Sequence, residues 1–244
     1  MGEPEGRAAF YAARPGGWRD WWTLLHPPYT AWHLAYVAIG AALAPHLDGV
    51  RLGATVLAFF AAMGIGAHAL DEWHGHPLGT RIPDRVLVAA SAVGVVAAVT
   101  LGILGLDRVG PLLVPFIVIG PILVVAYNLE LFGGRLHTDV GFALSWGAFP
   151  VLTAYVAQAD RLDVAALLGA AGAFALSYAQ RSLSTPARLL RRRVQRVDGV
   201  LELADGSQQP IDAATLLQPL ERALRALSWS TVLLAAALVA ARLW

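Results

Sequence analysis

The chain reads as all-α: a polytopic transmembrane helical bundle of about seven spans with a small cytoplasmic insertion. Three observations carry that reading. Hydrophobic residues make up 57% of the 244 residues and charged residues 14%. Apolar runs repeatedly reach the roughly 20 residues that carry a helix across a bilayer. Small residues recur along those runs (Gly40, Gly64, Gly66, Gly94, Gly169, Gly172 and many alanines), which lets membrane helices approach closely.

The elements follow in chain order. Residues 1–30 carry Glu3, Glu5, Arg7, Arg14, Arg19 and Asp20, with no apolar h-region and no small-residue cleavage site, so no signal peptide is expected. Trp18, Trp21, Trp22 and Leu25 recur at helical spacing, which predicts an amphipathic helix lying in the interface. Spans are expected near 31–47, 52–71, 85–106, 110–132, 139–158 and 163–182, forming a bundle over 31–183. Pro111, Pro115 and Pro121 should bend the fourth. Residues 184–224 read as a cytoplasmic appendage. It comprises a basic segment suited to anionic headgroups, a hairpin turning at Asp205-Gly206, and a helix capped by Asp212 and carrying Leu216, Leu217, Leu220 and Leu224. Residues 225–244 supply the last span, near 226–243.

Composition excludes several functions. The absence of cysteine rules out disulfides, thiolate metal sites and cysteine nucleophiles. All 18 basic side chains are arginine, so a seven-span retinal protein, which needs a lysine amine for its Schiff base, is excluded as well. Arginine placement favours a cytoplasmic N-terminus and an external C-terminus for an integral protein of the cell (inner) membrane. Arg81, Arg85, Arg135 and the run Arg188, Arg191, Arg192, Arg193, Arg196 then share one side. The expected partners are membrane lipids and a hydrophobic small-molecule substrate, with no nucleic acid.

With that topology six of the seven histidines sit at the cytoplasmic end of the spans: His26, His33, His68, His74, His76 and His137. Ionisable groups at a membrane boundary are costly to desolvate, and a cluster of them marks a site for a metal, a proton or a polar headgroup. At about 100° per residue, His68, Asp71, Glu72 and His76 share one broad helix face. Two imidazoles and two carboxylates, with His137 arriving from another helix, suit a divalent metal, zinc, iron or manganese more than magnesium. The bland alternative is a solvated helix end in which a carboxylate pairs with Arg81. His33, Asn128, Glu130, His137 and Asp139 are expected at the same face, and Arg181 and Arg188 could hold a phosphate or simply anchor the helix at the membrane surface. Expected catalytic residues are His68, Asp71 and Glu72; expected substrate contacts are His33, Arg81, Asn128, Arg181 and Arg188.

The chain also resembles the UbiA superfamily of intramembrane prenyltransferases. His26-Pro-Pro-Tyr-Thr30 and Val37-Ala-Ile-Gly40-Ala-Ala-Leu-Ala44 are similar to that family's "RP-x-T" segment and first helix. Gly66-Ala67-His68-Ala-Leu-Asp71 falls where the family carries its first aspartate-rich motif, N-D-x-x-D-x-x-x-D. The stretch 142–158, from Phe142-Ala-Leu-Ser to Tyr155-Val-Ala-Gln158, looks like the fifth helix of the quinone-forming branch. The resemblance spans roughly residues 18–195. It implies a helical bundle that holds an isoprenoid diphosphate on magnesium. The chain departs from the pattern at Ala67, His68 and Gly75, keeps Asp71, and has no carboxylate in 177–188, where the second motif belongs. The family's usual nine spans also exceed the number expected here. These departures argue against ordinary magnesium-dependent prenyl transfer. Three readings stay open: a UbiA-like enzyme acting on an isoprenoid or other lipid with altered chemistry, a histidine–carboxylate metalloenzyme of lipids (oxidase or hydrolase), and a non-catalytic relative that binds lipid or scaffolds a partner.

Overall fold

The structure, a computed structural model, describes residues 11–243; Glu3, Glu5 and Arg7 of the expected interfacial segment lie outside them. Eight helices dominate the described residues: α1 Trp18–Leu24, α2 Pro27–Leu43, α3 Gly49–Trp73, α4 Asp84–Val109, α5 Pro111–Asn128, α6 Asp139–Ala159, α7 Val164–Arg192 and α8 Ala213–Leu243. The all-α class therefore holds. Of the seven expected spans, five (α3, α4, α5, α6 and α8) are long and apolar enough to cross a membrane. The other two coincide with α2, which has 17 residues, and α7, whose 29 residues include Arg181, Arg188, Arg191 and Arg192.

The exterior explains the composition. Val93, Leu104, Leu168 and Leu233 are each more than 60% exposed, and Val96, Ile103, Val118 and Ile122 join them. So much contiguous apolar surface suits acyl chains rather than water. The interior is built on α2, which packs against α3, α6, α7 and α8. Gly40 permits that packing, because a Cβ there would collide with the Val151 carbonyl of α6. Trp32, Tyr36, Val151, Ala170 and Ala173 fill the centre. Buried polar atoms are paired along the same seam: Trp32 Nε1 donates to Tyr36 OH at 2.6 Å, and Ser177 Oγ of α7 donates to it at 3.1 Å.

Two helices widen locally to π-helix, α3 over Phe60–Ala67 and α6 over Ala143–Ala148. Each widening meets a close backbone approach: Gly94 of α4 abuts the Ala61 carbonyl, and Gly147 lies where a Cβ would sit 2.6 Å from the Ala173 carbonyl of α7. π-turns re-aim the side chains beyond them. Asp48 and Asp163 cap α3 and α7 by accepting from backbone N–H groups.

Two ends differ from the sequence reading. α5 stops at Asn128 rather than 132, because Glu130, Phe132, Gly133 and Gly134 all adopt positive φ and turn the chain. α7 runs ten residues past 182, through Pro186, carrying the arginines inward along its own face. A hairpin, β1 Gly199–Glu202 with β2 Gln208–Ile211, pairs Gly199 with Ile211 and Glu202 with Gln208. Asp212 then accepts from Thr215 N at 2.7 Å at the start of α8. An Arg191–Glu221 ion pair ties α7 to α8.

Candidate functional site: a polar cavity beside an apolar one

Two cavities share a wall. The polar one, about 350 Å³, lies at the end of the bundle where α1 meets α2 and α3 meets its loop. The apolar one, about 470 Å³, runs among α3, α4, α5 and α6. Met63 and Trp146 line both. Each belongs to one of the π-segments, so the widened turns of α3 and α6 form the partition between the cavities.

The polar cavity gathers residues from five directions. α2 contributes His33, α3 contributes His68 and Asp71, the end of α5 contributes Tyr127 and Asn128, the following loop His137, and α7 contributes Gln180, Arg181 and Arg188. His33, Asn128, Arg181 and Arg188, expected from sequence as substrate contacts, are thus brought together with His68 and Asp71. The histidines are held by backbone: His33 Nδ1 lies 2.6 Å from Tyr29 O, His68 Nδ1 3.1 Å from Gly64 O, and His137 Nδ1 3.1 Å from Tyr127 O. The His26 and His68 rings lie 4.5 Å apart, tilted by 46°, and Tyr11 OH hydrogen-bonds His26 Nδ1. Burial, reinforced by His68, Arg192 and Arg188, holds His26 well below the ordinary imidazole range. Arg181 Nε donates to Asp139 Oδ1 at 2.9 Å, with the guanidinium 5.5 Å over the Phe142 ring. That contact fixes Arg181 along the cavity wall.

Three expectations are corrected. Glu72 does not face the cavity. It is fully buried, and its carboxylate accepts from Leu78 N at 2.9 Å, Thr80 N at 2.8 Å and Thr80 Oγ1 at 2.8 Å, so it shapes the loop after α3. His76 follows Gly75 in a left-handed conformation and turns outward to Asp84, 3.1 Å away. Arg81 also lies outside the cavity, and its backbone N donates to Asp20 Oδ2 at 3.3 Å. The physical reason is the end of the helix. Beyond Trp73 the periodicity no longer applies, and adjacent residues on the last turn, Asp71 and Glu72, point to different neighbours.

The expected metal set, His68, Asp71, Glu72, His76 and His137, is therefore split between cavity and loop. Among the described residues no three His, Asp or Glu side chains stand close enough to hold an ion. Among the described residues these five therefore do not form a set that fits a divalent metal, whether magnesium, zinc, iron or manganese.

His33 is an expected substrate contact, whereas Tyr127 and Gln180, which also define the cavity, are not among the residues expected from sequence. Among the described residues His33 Nε2, Tyr127 OH and Gln180 Oε1 are buried without a hydrogen-bond partner, and all three side chains line this cavity. Buried polar atoms are ordinarily satisfied, so orphans converging on one cavity point to a missing polar occupant. The signal was in the polar pairs that end two apolar runs, Tyr127-Asn128 and Gln180-Arg181. The more strongly hydrogen-bonding or charged member of each pair drew the attention. No family model, no curated protein and no solved structure matches the chain.

Proposed function

We propose that this chain is a UbiA-like integral membrane protein that takes an isoprenoid or other lipid substrate, head first, into the polar cavity. The observation that carries the reading is the convergence of three orphaned buried polar atoms, on His33, Tyr127 and Gln180, with Arg181 and Arg188 in one chamber. A polar head there would meet guanidinium groups suited to phosphate oxygens. The apolar cavity beyond Met63 and Trp146, walled by side chains such as Ala58, Val99, Ile117 and Phe149, suits the adjoining hydrocarbon.

In this reading His68 and Asp71 supply acid–base chemistry at the head, with His33 deeper in the chamber. Glu72 supports the loop instead, and no step runs through a metal. The arginine side of the bundle faces the cytoplasm, the C-terminus faces outward, and all seven long helices beyond α1 are embedded.

Native mass spectrometry of the detergent-purified protein tests this. Wild type should carry a co-purified phosphate-bearing lipid, and Arg181→Gln with Arg188→Gln should lose most of it while remaining helical and monodisperse. Wild type without lipid, or a double variant that keeps its full complement, would sink the reading.

A further inference from the structure

Guanidinium groups reach the polar cavity, yet part of its buried wall presents hydrogen-bond acceptors. His33 Nδ1 is 2.6 Å from Tyr29 O. A carbonyl oxygen accepts and never donates, so Nδ1 carries the hydrogen, and on the neutral ring Nε2 presents a lone pair. That atom is buried without a partner, on a side chain 4% exposed. Gln180 Oε1, on a side chain 3% exposed, is a second buried acceptor in the same state. Asp71 adds a carboxylate to the same walls, and Tyr127 OH can act in either sense. A bare anion would satisfy Arg181 and Arg188 but has no hydrogen to offer His33 Nε2 or Gln180 Oε1. Unpaired acceptors of this kind penalise every occupant that leaves them dry.

We infer that the ligand's head carries an O–H or N–H donor beside its phosphate, and that His33 Nε2 and Gln180 Oε1 accept from it and select such heads over donor-free ones. The inference rests on the reading of the cavity as a headgroup site. It adds a specificity rule that the arginines alone cannot supply. A hydroxyl-bearing head and an amino-bearing head share the required chemistry.

Matched lipid pairs test the rule. The full-length protein is exchanged into nanodiscs holding phosphatidylglycerol with phosphatidylmethanol, or phosphatidylethanolamine with phosphatidylcholine, and retained lipid is read by native mass spectrometry. The members of each pair share net charge and differ in their donors. Wild type should retain the donor-bearing member of at least one pair about tenfold over its partner, the effect of one or two buried hydrogen bonds. The first pair reports a hydroxyl head, the second an amino head. His33→Phe should erase the preference within the pair. Arg188→Gln should lower retention of both members together. Gln180→Met, nearly isosteric, provides the same test should His33→Phe fail to fold. Lipid retained with no preference in either pair overturns this inference and leaves the headgroup reading standing. A preference that survives both His33→Phe and Gln180→Met also overturns it. No lipid retained by wild type overturns both.

Discussion

Asp71 and Glu72 are adjacent carboxylates that serve different parts of the molecule: Asp71 lines the polar cavity, whereas Glu72 is fully enclosed and accepts three hydrogen bonds from Leu78 and Thr80. Their separation divides the acidic cluster into a cavity group and a loop support. It also predicts opposite phenotypes. Glu72→Ala removes the acceptor for three partly buried donors and should cost about 2–4 kcal/mol. Asp71→Asn should change stability by less than about 1 kcal/mol, because among the described residues no hydrogen bond depends on its carboxylate. Thermal unfolding in detergent compares the two; equal losses would contradict the division.

The crossing of α2 and α6 depends on Gly40. A methyl group there meets the Val151 carbonyl, a backbone atom that cannot swing aside. Gly40→Ala should therefore destabilise by about 1–3 kcal/mol, while Gly172→Ala, with open space around it, should be neutral or slightly stabilising. The pair of melting temperatures checks the packing directly.

Acid should weaken the bundle at its mouth. His26 titrates well below its ordinary value in the folded protein because it is buried beside His68, Arg192 and Arg188. The unfolded chain binds that proton near pH 6.5, so stability is fully present above this pH and falls as the pH drops from there toward the folded value. The melting temperature should decline by roughly 2–4 °C per kcal/mol lost over that window. His26→Asn should flatten the slope, and an unchanged slope in the variant would assign the acid sensitivity elsewhere.

The shared wall predicts that the two cavities act on one ligand. Ala58→Trp would fill part of the apolar cavity while leaving every residue that lines the polar cavity unchanged. It should lower lipid retention about tenfold while leaving the melting temperature of the lipid-free protein within a few degrees. Retention unchanged by this substitution would mean that the hydrocarbon lies elsewhere.

Much of this arrangement was legible in the chain. The apolar runs located every long helix, and arginine and histidine placement brought His33, His68, Asp71, Asn128, His137, Arg181 and Arg188 to one end of the bundle. The metal set failed for a local reason. The shared face assumes helix over 68–76, whereas Gly75 and Pro77 also allow an earlier end that leaves His74 and His76 in a loop; the helix stops at Trp73 and His76 turns outward. The π-segments were illegible because an inserted residue per turn leaves no mark in an all-apolar stretch such as Phe60–Ala67. They matter to the site, since they set Met63 and Trp146 between the cavities. The orphaned atoms on His33, Tyr127 and Gln180 could not be read from sequence either. Partnership is a property of three-dimensional neighbours, and Trp32 and Tyr36, in the same helix as His33, are fully paired.

A density map of the protein purified with its native lipid and held in a nanodisc shows whether one lipid occupies both cavities. A headgroup is expected within hydrogen-bond distance of Arg188, His33 and Gln180, continuous past Met63 and Trp146 with a chain in the apolar cavity. A polar cavity closed by its own side chains or holding water alone, with lipid confined to the outer faces of the helices, would contradict it.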